Sequence, residues 1–252
     1  MFFALALTVL TTAAMAVAQA APSAARPDAP GSPRTAPSTI PAADPNAPAE
    51  LAAAPETTSD VKAAVKSMQA FYEKAKDCSA DFAQTYVNQA FKKTLTSTGK
   101  LRFKKPGMLR FDYLTPEPKF FVVKNDKITS YVPAAQQAMV GSFKADELSA
   151  SVTFLFGKGN LESEFSVHPP DRRDLTAGTA MLLLPKREDP RFSKIYFVVD
   201  PATSAVKESV VVDPSGNENR FDFTHIETNR GLSEKDFDES LPKGTQIIKT
   251  GG

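Results

Sequence analysis

Between residues 82 and 227, short runs alternate apolar and polar side chains with hairpin-length gaps between them, and this pattern constrains the chain most. Phe82, Gln84 and Tyr86 stand out from their neighbours, Leu101 and Phe103 follow, and past a Lys-Lys-Pro-Gly turn come Leu109, Phe111 and Tyr113. A period of two marks a half-buried strand, whose successive side chains take opposite faces. Further strands are expected at FFVV (120–123), ITSYV (128–132), FSVH (165–168), AMLLLP (180–185), KIYFVVD (194–200), ESVVVD (208–213) and RFDFTHIE (220–227). Asn125-Asp126, Asp200-Pro201 and Asp213-Pro214-Ser215-Gly216 supply turn chemistry between them. Many short strands joined this way imply a meandering antiparallel sheet.

Two segments break the alternation. SDVKAAVKSMQAFYEKAKD (59–77) places Val61, Val65, Met68 and Tyr72 on one helical stripe, with Ser59 or Asp60 able to cap its start. That stripe is expected to pack onto the sheet. KADELSASVTFLFGKGNLESE (144–164) puts Leu148, Val152, Leu155 and Phe156 on a possible helical face ended by Gly157 and Gly159. Together the two helices can cover one face of a curved sheet.

Ahead of this domain lie two segments of different character. MFFALALTVLTTAAMAVAQA is apolar, uncharged and ends in Ala18-Gln19-Ala20, which reads as an export signal cleaved near Ala20. Its Ala and Thr content dilutes it below what a membrane-spanning helix needs. Residues 21–58 hold nine of the chain's 20 prolines and no aromatic residue, so this stretch cannot bury enough apolar surface to offset chain entropy and is expected to be an extended linker. The folded domain is then expected over 59–250.

The chemistry offered is sparse. Cys78 is the only cysteine, which leaves no intramolecular disulfide and no lipid-bearing Cys at the cleavage point. Only two histidines occur, His168 at a strand end and His225 in a strand, too little material for a His-rich metal site or an imidazole triad. No GxSxG, HExxH, CxxC or phosphate-loop pattern is present, and Asp236 and Asp238 read as solvated charges. No catalytic residues, metal or cofactor are therefore expected, and the chain is read as a non-enzyme. With 30 basic and 29 acidic side chains interspersed, it has no electrostatic footprint for nucleic acid either.

The run GKLRFKKPGMLRFDYLTPEPKFFVVKND (99–126) resembles the core motif of the LolA family of periplasmic lipoprotein carriers, with its apolar alternation on both sides of a basic residue and proline. TFLFGKGNL (153–161) is similar to the family's lid segment, FAQTY (82–86) to its early strand, and GLSEKDFDESLPKGTQII (231–248) to its ending. The likeness runs from about Ser59 to Lys249. It implies an α+β, mainly β fold: an open antiparallel β half-barrel whose concave face is covered by helices and receives acyl chains. On that footing Leu101, Phe103, Leu109, Phe111 and Tyr113 line the lipid cavity, Leu148, Phe154, Leu155 and Phe156 belong to the lid, and Lys105 latches the lid. Lys100, Arg102, Arg110 and Asp112 fall on the opposite, wet face.

The same resemblance implies a monomeric periplasmic chaperone that binds the acyl chains of lipoproteins released by an inner-membrane ABC exporter of the Lol type. An outer-membrane acceptor, LolB or an equivalent, would receive them. Alternatives on the same fold are an RseB-like sensor of mislocalised lipoprotein, whose family carries a second domain, and a carrier of another lipid. The chain departs from the family at the latch, where Lys105 replaces an arginine and lacks its planar fork. Phe111 stands where a tryptophan is usual, Asn125-Asp126 where Asp-Gly is, and Ser130 where an aromatic is.

Overall fold

The structure, a computed structural model, describes residues 57–142 and 161–250. The signal and nearly all of the linker expected at 1–20 and 21–58 lie outside these residues, as do Leu148, Phe154, Leu155 and Phe156.

Helix α1 (Thr58–Lys74) buries Val61, Val65, Met68 and Tyr72, the stripe read from the sequence. Its cap is Thr57 rather than Ser59 or Asp60. The Thr57 side chain accepts from the Asp60 amide at 3.3 Å while the Asp60 carboxylate accepts from Thr57 N at 3.1 Å, closing a reciprocal box.

The strands are β1 (Asp77–Asn88), β2 (Lys93–Lys104), β3 (Met108–Thr115), β4 (Lys119–Lys124), β5 (Lys127–Val132) and β6 (Gln137–Ser142), then, after a helical turn at Leu161–Glu164, β7 (Phe165–His168), β8 (Thr179–Pro185), β9 (Lys194–Val199), β10 (Val206–Val212), β11 (Glu218–Thr228) and β12 (Gln246–Thr250). All twelve join one sheet in the order β12-β6-β5-β4-β3-β2-β1-β11-β10-β9-β8-β7. Two antiparallel meanders, β1 to β6 and β7 to β11, meet where β11 pairs with β1. The end strands β12 and β7 do not pair, so the sheet stays open. Strands β6 and β12 are not foreseen by the sequence pattern. β12 is short and pairs in parallel with β6, an arrangement that has no local turn to announce it.

Turn chemistry closes the β4–β5 hairpin. Asn125 and Asp126 have φ of 51° and 56°, the left-handed pair of a tight two-residue turn between Lys124 and its partner Lys127. At Gly99 the need is steric. A Cβ there would sit 2.2 Å from the Asp112 carbonyl oxygen and 2.5 Å from the Phe82 ring, which lies over Gly99 from the neighbouring strand.

The inner face of the sheet is covered, and so is the outer face at β8 to β10. On the inner face one continuous apolar cluster runs from Phe121 and Val123 on β4 to Phe165 on β7, with α1 in it. Tyr72 of α1 reaches Phe103 on β2, with ring centroids 6.4 Å apart, and its hydroxyl accepts from Val206 N on β10 at 3.3 Å. On the outer face of β8 to β10, Leu175 caps a second cluster of Ala180, Leu182, Tyr196, Val198, Val210 and Val212. That double burial explains why AMLLLP and KIYFVVD read as continuous apolar runs.

The outer face of β2 to β5 is not simply wet, as the sequence suggested. Asp112 bridges Arg102 and Arg110 at 2.7 Å each, all three half-buried. The segment after β11 straps this face: Lys104 donates to the Leu232 carbonyl, Arg110 to the Asp238 carbonyl, and Lys127 and Thr129 to the Glu239 carboxylate at 3.1 and 3.0 Å. Phe237 is fully buried in the strap. Asp236 and Asp238, read as solvated charges, also cap turns, accepting from the amides of Ser233 and Ser240.

Candidate functional site

The five residues read as cavity lining come together on the inner face. Register pairs Phe103 with Leu109, Leu101 with Phe111, and Gly99 with Tyr113, so all five point the same way. Their exposures run from 1% for Leu101 and Phe111 to 9% for Phe103. They form one surface with residues that the sequence pattern assigns to strands but not to the site. Phe82 contacts Tyr113, Phe221 and Phe111 with centroids 5.1, 5.4 and 5.7 Å apart, Tyr113 meets Phe121 at 5.8 Å, and Phe221 stacks on Phe223 at 5.9 Å. The alternation in FAQ and RFDF carries that signal, but it does not say that β11 lies beside β1. The wall is thus an array of aromatic rings in edge-to-face and tilted contact.

Lys105 binds α1. Its Nζ donates to the carbonyl oxygens of Tyr72 at 2.6 Å and Glu73 at 3.3 Å, and its amide donates to Lys76 O at 2.8 Å. These are the carbonyls that a helix C-terminus leaves unpaired, and a cation there also meets the negative end of the helix dipole. Burial pulls the Lys105 ammonium below the usual lysine range, with nearby Glu73 working the other way. The resemblance sets Lys105 against the lid segment, whose residues 144–160 lie outside the described ones; its described contacts hold the first helix.

Polar groups also face the inner wall. Gln84 Nε2 donates to Asn219 Oδ1 at 2.8 Å, with both side chains buried, and Ser209 is fully buried between Phe221 and Phe197 in the register. Burial lifts the phenol of Tyr113 well above the usual tyrosine range. The remaining candidates for chemistry are spread apart. The buried Cys78 thiol is pushed up to about 12 by desolvation, then by Asp77, which keeps it a thiol. His225 is exposed on the outer side with Nδ1 3.0 Å from Asp81, and His168 is the exposed last residue of β7.

Known proteins match this chain along most of its described length. The outer-membrane lipoprotein carrier protein of Bordetella avium is 27% identical over 185 residues, covering 72% of this chain and 85% of that one. The protein of the same name from Cupriavidus pinatubonensis is 28% identical, covering 74% and 88%. Among solved structures, an uncharacterized conserved protein from Thermus thermophilus superposes with a TM-score of 0.48 at 12% identity, covering 75% of this chain and 98% of that one. A LolA superfamily protein from Nitrosomonas europaea gives 0.37 at 9% identity, covering 71% and 97%. The family described as outer membrane lipoprotein carrier protein LolA matches residues 73–240, which span the aromatic wall, its latch and both meanders, and the chain belongs to that family.

Proposed function

We propose that this protein is a periplasmic carrier that shelters the acyl chains of lipoproteins released from the inner membrane and delivers them to the outer membrane. The observation that carries the reading is the single aromatic face formed by Phe82, Leu101, Phe103, Leu109, Phe111, Tyr113 and Phe221 beneath a latched helix. Membership of the lipoprotein carrier family supports it, as do the names of the relatives. An export signal over residues 1–20 and a linker over 21–58 belong to the same reading, as does a lid role for Leu148, Phe154, Leu155 and Phe156.

Magnitudes shape the mechanism. Sheltering acyl methylenes gains ~0.8 kcal/mol each, so one sixteen-carbon chain is worth on the order of 12 kcal/mol in a membrane or in a protein. Loading and release therefore require the inner face to match the bilayer closely. An α1 that packs on the wall when no lipid is held imposes an opening cost, which lowers net affinity and permits hand-off. Lys105 sets part of that cost. The sequence holds no nucleotide-binding motif, so the energy for loading comes from the partner that extracts the lipid, here an inner-membrane ABC exporter, with an outer-membrane protein as acceptor.

Depletion in the native cell tests the reading. Outer-membrane lipoproteins are expected to accumulate at the inner membrane, and the protein purified from the periplasm is expected to carry acylated peptides by mass spectrometry. Normal sorting on depletion would refute the delivery role.

A further inference from the structure

The aromatic wall is interrupted by a short polar row. Phe82, Gln84 and Tyr86 share the inner face of β1, and Gln84 stands opposite Phe221 of β11. Ser209 on β10 stands opposite the same Phe221, and Val211 opposite Asn219, so Ser209 and Asn219 are diagonal neighbours on adjacent strands of one face. Asn219 is 5% exposed and Ser209 0%. Asn219 Nδ2 and Ser209 Oγ nevertheless have no hydrogen-bond partner among the described residues. Buried donors are as a rule paired, because desolvation without a partner is not repaid. A wall meant only for hydrocarbon would be better served here by Leu and Ala.

We propose that Asn219 and Ser209 form a carbonyl-reading subsite, donating hydrogen bonds to the ester carbonyl oxygens at the head of an acyl chain whose hydrocarbon lies on the Phe82, Phe111 and Phe221 rings. The proposal rests on the reading of the inner face as an acyl-chain site and deepens it. The chemistry is complementary. An acyl ester presents carbonyl acceptors and no donor, whereas this row presents unpartnered N–H and O–H groups. Gln84 occupies Asn219 Oδ1 and so fixes the amide, leaving Nδ2 as the free end.

Position along the wall agrees. On β1 and β2 burial falls away beyond Gln84: Tyr86 is half-buried, and Leu95 opposite it on β2 is 42% exposed. Asn219, the partner of Tyr86 across β1 and β11, is still buried, so the polar group lies where the buried face gives way to the rim on the β1 and β2 side. A lipid head held there directs its chain inward over the rings and its attached peptide outward.

The test compares two synthetic probes on the purified protein: a peptide bearing S-(2,3-dipalmitoyloxypropyl)cysteine, and its dihexadecyl ether analogue, which has the same chains and no ester carbonyls. Affinities are read by displacement of a fluorescent apolar dye. The wild type is expected to bind the ester at least ~10-fold more tightly. Ser209→Ala and Asn219→Leu should each weaken ester binding several-fold and leave ether binding unchanged, bringing the ratio in the double variant close to one. Ser209→Ala removes a single oxygen atom and serves even where Asn219→Leu does not fold, and the wild-type ratio needs no variant. Equal binding of ester and ether by the wild type, or variants that weaken both probes alike, would overturn the subsite while leaving the acyl-chain reading in place. A wild type that binds neither probe overturns both.

Discussion

Replacing Lys105 by Met keeps most of the apolar stem and removes the ammonium that holds α1. The lost interactions are the bonds to Tyr72 O at 2.6 Å and Glu73 O at 3.3 Å, made at a helix C-terminus. A hydrogen bond from a charged group is worth ~1.5–3 kcal/mol, and the half-exposed position and the entropy of a long side chain bring the expected net loss to about 1–2 kcal/mol. The penalty should appear in urea unfolding and, more locally, as faster amide exchange in α1 than in the sheet. If helix opening is the cost set against lipid uptake, Lys105→Met lowers that cost, so affinity for an acyl probe rises by about 5- to 30-fold and release to acceptor vesicles slows in proportion. Lys105→Arg should keep α1 held, since the guanidinium fork carries enough donors for two carbonyls. Lys105→Met with unchanged α1 exchange, or with weaker lipid binding, would refute the latch.

Gly99→Ala drives a methyl group to 2.2 Å from the Asp112 carbonyl and into the Phe82 ring, so a loss of about 2–3 kcal/mol and a fall in Tm of roughly 5–10 °C are expected by calorimetry. Phe111→Ala, which empties the centre of the ring array, should cost ~3–5 kcal/mol in urea unfolding. Burial pushes the Glu208 carboxyl from 4.5 up to about 7, against the pull of Arg220 at 3.0 Å. Between those values the folded state keeps a proton that the unfolded state has lost. Stability from this group therefore falls as pH rises from 4.5 to about 7, by at most ~3 kcal/mol, and Glu208→Gln should flatten that slope in pH-dependent unfolding. Cys78, buried and with its thiol pushed up to about 12, should resist iodoacetamide at pH 8 in the native protein and react on denaturation, with fast native labelling as the refuting result.

What the sequence determined by itself is local. A period of two over six or seven residues identifies most of the strands, and parity on either side of the Lys-Lys-Pro-Gly turn puts Leu101, Phe103, Leu109, Phe111 and Tyr113 on one face, because a strand offers only two. Helical spacing did the same for Val61, Val65, Met68 and Tyr72. Tertiary structure decided what those faces meet. Gln84 meets Asn219, 135 residues away, only because β11 closes against β1. Phe221 joins the site for the same reason. Lys105 finds the end of α1, and the face shared by Arg102, Arg110 and Asp112, which alternation did announce, finds a strap drawn from residues after 228, which no spacing announces. Alternation records which side of a strand avoids water, a property settled within a few residues. Which strand lies alongside, and which loop covers the other side, depends on contacts between segments far apart in the chain, and these leave no periodic trace.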